Sequence, residues 1–88
     1  MNKYNDFRDM SVWQKAFAIL REVYKIIKVF PPEEKYALTD DLRRSANSVV
    51  HNIAEGYGRF EAKDKTRFYK VSMGSAYESI IHILVAES

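Results

Sequence analysis

The chain has 88 residues, of which 47% are apolar and 14% aromatic, with a formal charge of +2 and no cysteine. A chain this short forms one domain, 1–88, and without cysteine it has neither disulfides nor a thiolate metal site. No apolar run reaches the roughly 18 residues that a membrane span needs, and a domain this size buries only roughly 60–65% of its unfolded surface, so self-association is expected.

The N-terminus, MNKYNDFRDM, has no apolar core of a signal peptide, which places the chain in the cytoplasm as an expectation. The first helix is expected from Ser11, a plausible cap with Gln14 three residues on. Trp13, Phe17, Leu20, Val23, Tyr24, Ile27 and Phe30 recur at spacings of three and four and define one face. Pro31-Pro32 is expected to end it. The following EEKYAL reads as a loop with a short helical turn.

Thr39 resembles a second cap, followed by Asp40 and Asp41 where carboxylates suit the helix dipole. Leu42, Ala46, Val49, Ile53 and Tyr57 then mark an amphipathic helix. Gly56 and Gly58 bracket its end, where a left-handed residue commonly stops a helix. A third helix is expected from about Ala62. Tyr69, Met73, Ala76, Tyr77, Ile80, Ile83 and Leu84 form its wide apolar face, with Phe68, Val71, Ile81 and Val85 outside it. Ser72, Ser75 and Ser79 add a strip of small residues where another helix could approach. A helix apolar on several sides needs more than one partner. The fold class is therefore all-α, an antiparallel up-down bundle of three long helices that assembles into an oligomer.

DMSVWQKAFAI, FPPEEKYALTDDLRRSANSVVHNIAEGYGR and RFYKVSMGSAYES together resemble the four-helix bundle proteins encoded in intervening sequences of bacterial large-subunit ribosomal RNA genes. A related branch is the accessory variability protein of diversity-generating retroelements. The resemblance spans nearly the whole chain. It implies a ring, a homopentamer, and no established catalysis. In the retroelement branch it implies a basic surface that takes RNA or DNA and a reverse transcriptase. The family pattern falls on Trp13, Leu42, Arg43, Arg44, Ala46, Asn52, Ile53, Ala54, Glu55, Gly56, Arg59, Phe68, Gly74 and Ser75. Two departures stand out. Val50-His51 and Asp40-Asp41 replace Pro-Ser and Ser-Gln of many relatives, and the chain stops at Ser88 where the family continues into a fourth helix.

Positive charge gathers in the middle, where residues 42–70 carry seven basic and three acidic side chains. Arg59, Lys63, Lys65, Arg67 and Lys70, with Phe60 and Tyr69, form the nucleic-acid candidate, because cations contact phosphates and aromatics stack on unpaired bases. Arg43 and Arg44 are secondary candidates, with Asp40 and Asp41 as competing structural partners. Trp13, Asn52, Glu55, Gly56, Gly74 and Ser75 are read as structural.

Arg44, Ser48, His51 and Glu55 share one helix face, and the Arg44-to-His51 spacing fits some all-α ribonucleases. The favoured alternative is a solvated face with His51 paired to Glu55. His82, in an apolar run, reads as a core or interface residue. No phosphate loop, no zinc motif and no nucleophile elbow occurs, so no catalytic residue, metal or cofactor is expected. The partners expected are the chain itself, RNA or DNA, and a reverse transcriptase or another protein. The two functional readings are an oligomeric nucleic-acid-binding accessory protein and an oligomeric protein-interaction scaffold.

Overall fold

A computed structural model describes the backbone of residues 6–29 and 32–87 and the side chains of 6–29 and 38–86. These residues are helical apart from short turns and connections, with no strand among them. A 3₁₀ turn, Phe7–Asp9, leads into α1, Ser11–Lys28, followed by α2, Pro32–Tyr57, and α3, Ala62–Glu87.

α3 begins at Ala62, as the sequence leads one to expect, while the starts of α1 and α2 differ from the expectation. Met10 flanks α1 and Ser11 is its first helical residue. The Gln14 amide donates to the Arg8 carbonyl at 2.9 Å and ties α1 to the 3₁₀ turn. That turn is capped by Asp6, which accepts from the Arg8 backbone N–H at 2.9 Å. The Arg8 guanidinium also binds this exposed carboxyl and holds it below the usual carboxylate range. Thr39 is buried inside α2 and is not its N-cap, because α2 begins at Pro32. Proline suits a first helical position, where its missing N–H has no intrahelical acceptor. EEKYAL is therefore helix, not loop. Phe30 and Pro31 lie outside the described residues.

The core lies between α1 and α2. Leu20 and Val23 pack with Leu42, Ala46 and Val50, and Leu42 is 0% exposed. Trp13, Tyr24 and Ile27 from α1 and Ile83 from α3 close around them. Trp13 stacks on Phe17 at 5.0 Å, and Phe7 meets it edge-on. The Asn47 amide donates to the Tyr24 hydroxyl at 2.6 Å and adds a polar link between α1 and α2.

The α2–α3 seam is made of hydroxyls. Ser45 meets Ser79 at 2.8 Å, Ser48 meets Ser75 at 2.7 Å, and Ser72 donates to the Val49 carbonyl at 2.8 Å. As residue numbers rise on α2 they fall on α3, so the two helices run antiparallel. Small side chains permit this close approach, since helix spacing follows side-chain size at the contact. The sequence expectation gave the third helix a wide apolar face and a strip of small serines open to a helix approach, and it is the serine strip that meets α2. Met73, Tyr77, Ile80 and Leu84 are exposed, while Ser72, Ser75 and Ser79 are buried.

Both outer helices lean on α2, and no Cα of α1 comes within 8 Å of α3 among the described residues. The molecule measures 48 × 21 × 15 Å, with a radius of gyration of 14.4 Å. A compact chain of this length would have about 12 Å. Between α1 and α3, floored by α2, runs a groove of about 620 Å³. Its walls are Val12 and Ile19 on one side and Met73 and Ile80 on the other, over Val49 and Ile53.

Candidate nucleic-acid interface

The turn joining α2 to α3 holds Arg59 and Phe60, and the first turns of α3 hold Lys63, Lys65, Arg67, Tyr69 and Lys70. The joining turn forms without any glycine of positive φ among the described residues, so the expected left-handed stop is absent. The Gly58 N–H reaches the carbonyls of Ala54 and Glu55, and the Arg59 N–H that of Gly56, tightening the last turn of α2. Gly56 lies within α2 and is needed for space. A Cβ there would sit 2.6 Å from the Cε1 atom of Tyr69. Tyr69 therefore packs on α2 and does not offer its ring to a base. Burial raises its phenol above the ordinary value, and Tyr57 nearby adds to this.

The candidate cations separate into three groups. Lys65 donates to the carbonyls of Tyr57 at 2.8 Å and Gly56 at 3.3 Å, and its ammonium lies 5.6 Å from the Tyr57 ring. It caps the end of α2, where a cation suits the dipole. Lys65→Met should lower stability by about 1–2 kcal/mol, read as a fall in Tm at fixed protein concentration. The signal for this cap was not visible in the sequence, because the lysine sits in the next helix.

Arg43 and Arg44 form the second group. Arg44 bonds Asp41 at 2.7 Å, and Asp40 lies within 3.5 Å of Arg43 and 3.7 Å of Arg44. Arg43 also lies 6.0 Å over the Tyr24 ring. These pairs are solvent-exposed and contribute little to stability, but they occupy the guanidinium groups.

Arg59, Lys63, Arg67 and Lys70 form the third. Arg59 pairs with Glu55 at 3.1 Å, and Arg67 lies 4.0 Å from Asp64. Both guanidinium groups lie over the Phe68 ring, at 4.6 and 4.9 Å. Lys63, Arg67 and Lys70 follow at spacings of four and three and share the outward side of α3. Lys63 and Lys70 make no ion pair among the described residues. Phe60, between Arg59 and this row, is 100% exposed. A bare aromatic ring among cations suits stacking on an unpaired base while phosphates meet the charges.

The Arg44–Glu55 face is dispersed. Glu55 serves Arg59, Arg44 serves Asp41, and Ser48 bonds Ser75. His51 is exposed and makes no hydrogen bond or ion pair among the described residues, so the expected His51–Glu55 pair does not form. Asn52 donates to the Ser48 carbonyl at 2.8 Å within α2. His82 is half-buried beside a polar cleft of about 460 Å³ that also touches Arg44 and Glu78. No group of three or more potential metal ligands occurs among the described residues. No described helix is long and apolar enough to cross a membrane.

The family model described as 23S rRNA-intervening sequence protein matches residues 8–88. No curated protein and no solved structure matches. The matched stretch takes in all three helices, the serine seam and the Gly56 contact, and the chain belongs to the 23S rRNA-intervening sequence protein family.

Proposed function

We propose that the chain is a non-enzymatic, self-assembling helical-bundle protein whose α2–α3 tip holds single-stranded RNA or DNA. The observation that carries the nucleic-acid part is Phe60, wholly exposed and set between Arg59 and Lys63. Exposing a phenylalanine ring costs free energy that a stacked base would recover. Arg67 and Lys70 extend the contact along α3, whereas Lys65, Arg43 and Arg44 are spent within the chain.

Self-assembly is supported by area. A compact monomer of 10.3 kDa exposes about 5,400 Å², against 6551 Å² here. The surplus, on the order of 1,000 Å², compares with the roughly 800 Å² that each partner gives to a stable interface. In an up-down bundle, an amphipathic helix from a neighbour or a partner would fill the groove between α1 and α3. The resemblance puts the ring at five copies.

The test is fluorescence anisotropy with labelled RNA and DNA strands. Binding at low salt should fall steeply towards physiological salt, because each neutralised phosphate releases counterions. Phe60→Ala should weaken binding by about 1–3 kcal/mol, with helicity unchanged. Lys63→Glu should weaken it for all sequences alike. Absence of binding at low salt, with the assembly intact, leaves the protein-interaction scaffold, a reading that the apolar groove favours. RNA cleavage lost on His51→Ala would bring back the ribonuclease reading.

A further inference from the structure

We propose that Arg59 and Arg67, gathered over the Phe68 ring, clamp the phosphate monoester at the end of a single strand of RNA or DNA whose terminal base stacks on Phe60. The proposal rests on the nucleic-acid reading of the α2–α3 tip and narrows it from any stretch of strand to a phosphorylated end.

The two cations sit where their charges oppose each other. Arg59 lies 4.6 Å and Arg67 4.9 Å over one ring. The ring face attracts each guanidinium group, but like charges brought to the same ring repel. Arg67 also reaches this position sideways. Successive helix residues point about 100° apart, so Arg67 leaves its own direction to cross the side chain that follows it.

The nearby carboxylates offset the pair only in part. Glu55 accepts one hydrogen bond, from Nη2 of Arg59 at 3.1 Å. Asp64 stands 4.0 Å from Nη2 of Arg67, beyond hydrogen-bond range. Neither guanidinium group makes another hydrogen bond among the described residues, which leaves most of their N–H donors open. An anion shared by the two relieves the repulsion and takes up those donors. Phosphate suits the role, because a guanidinium fork gives it parallel pairs of N–H bonds.

The aromatic rings decide which phosphate. Phe60, next in the chain to Arg59, is wholly exposed. Tyr69 packs on α2, and Phe68 is half-buried with the arginines over it. One bare ring beside one clamp seats one nucleotide, whereas a strand running through would use several stacking platforms. A terminal monoester carries about −1.5 to −2 at neutral pH and three acceptor oxygens, more than an internal diester offers. Two guanidinium groups therefore gain most from the end of a strand. Lys63 and Lys70, along the outward side of α3, meet the phosphates that follow.

Fluorescence anisotropy at low salt tests this with strands of one sequence, labelled on an internal base, as RNA and as DNA. One carries a 5′-phosphate, one a 3′-phosphate, and one has hydroxyls at both ends. A phosphorylated end should tighten binding by at least about tenfold, and the two phosphorylated arms tell which end is read. Arg67→Lys keeps the charge and loses the fork. It should bring the phosphorylated strands down to the level of the hydroxyl-ended one, with circular dichroism as the control for folding. If all strands bind wild type equally, the tip holds strands without reading their ends and the clamp is wrong. If Arg67→Lys keeps the full preference, the end is read elsewhere and the clamp is again wrong. If no strand binds, the nucleic-acid reading of the tip falls and the clamp with it.

Discussion

Replacing Leu42 by alanine should cost about 2–5 kcal/mol and lower Tm by roughly ten degrees or more for a domain this small. Leu42 is the one described side chain that is both large and wholly buried, at the centre of the α1–α2 core. Its neighbours Leu20, Val23 and Val50 are held by their own helices, so they cannot all move in to fill the space. The loss combines the transfer energy of the removed methyl groups with a residual cavity. Because assembly adds apparent stability, variant and wild type are compared in urea or by heating at one protein concentration. An unchanged midpoint would mean that the α1–α2 core is not the main source of stability.

The second large effect is expected at Gly56. Gly56→Val should destabilise by about 1–3 kcal/mol through overpacking. The backbone there is ordinary helix, so valine meets no strain from φ. The obstacle is the Tyr69 ring, with Cε1 at 2.6 Å and Cδ1 at 2.9 Å from the position of a Cβ. Tyr69→Ala in the Gly56→Val background should therefore recover part of the loss, although each change alone is harmful. A double-mutant cycle measures this coupling. Simple additivity would show that the ring can swing aside at little cost.

The helices themselves were legible where apolar residues repeat at three and four. Leu20 and Val23 in α1, and Leu42 and Ala46 in α2, lie on the buried face that the repeat marks. In α3 the apolar repeat marks Met73 and Ile80, which are exposed, whereas the strip of small residues Ser72, Ser75 and Ser79 marks the face that meets α2. There the serines are the core, since each hydroxyl finds a partner on α2 or within α3. The start of α2 was misplaced because Thr-Asp-Asp resembles a cap, and side chains alone do not reveal that helix already precedes it. At the tip, the sequence assembled the right residues but could not sort them. Whether a lysine caps a helix, or a tyrosine turns inward, depends on which backbone lies across the turn.

The hydroxyl seam also bears on register. A seam of leucines can slide by a fraction of a turn and repack at modest cost. Paired serines cannot, because hydrogen bonds weaken steeply with distance and angle. A slip of α3 along α2 would break the Ser45–Ser79, Ser48–Ser75 and Ser72–Val49 contacts together and strand buried oxygens. The seam thus acts as a vernier with discrete positions, fixing how far the Arg59–Phe60 turn stands out along the long axis of the molecule.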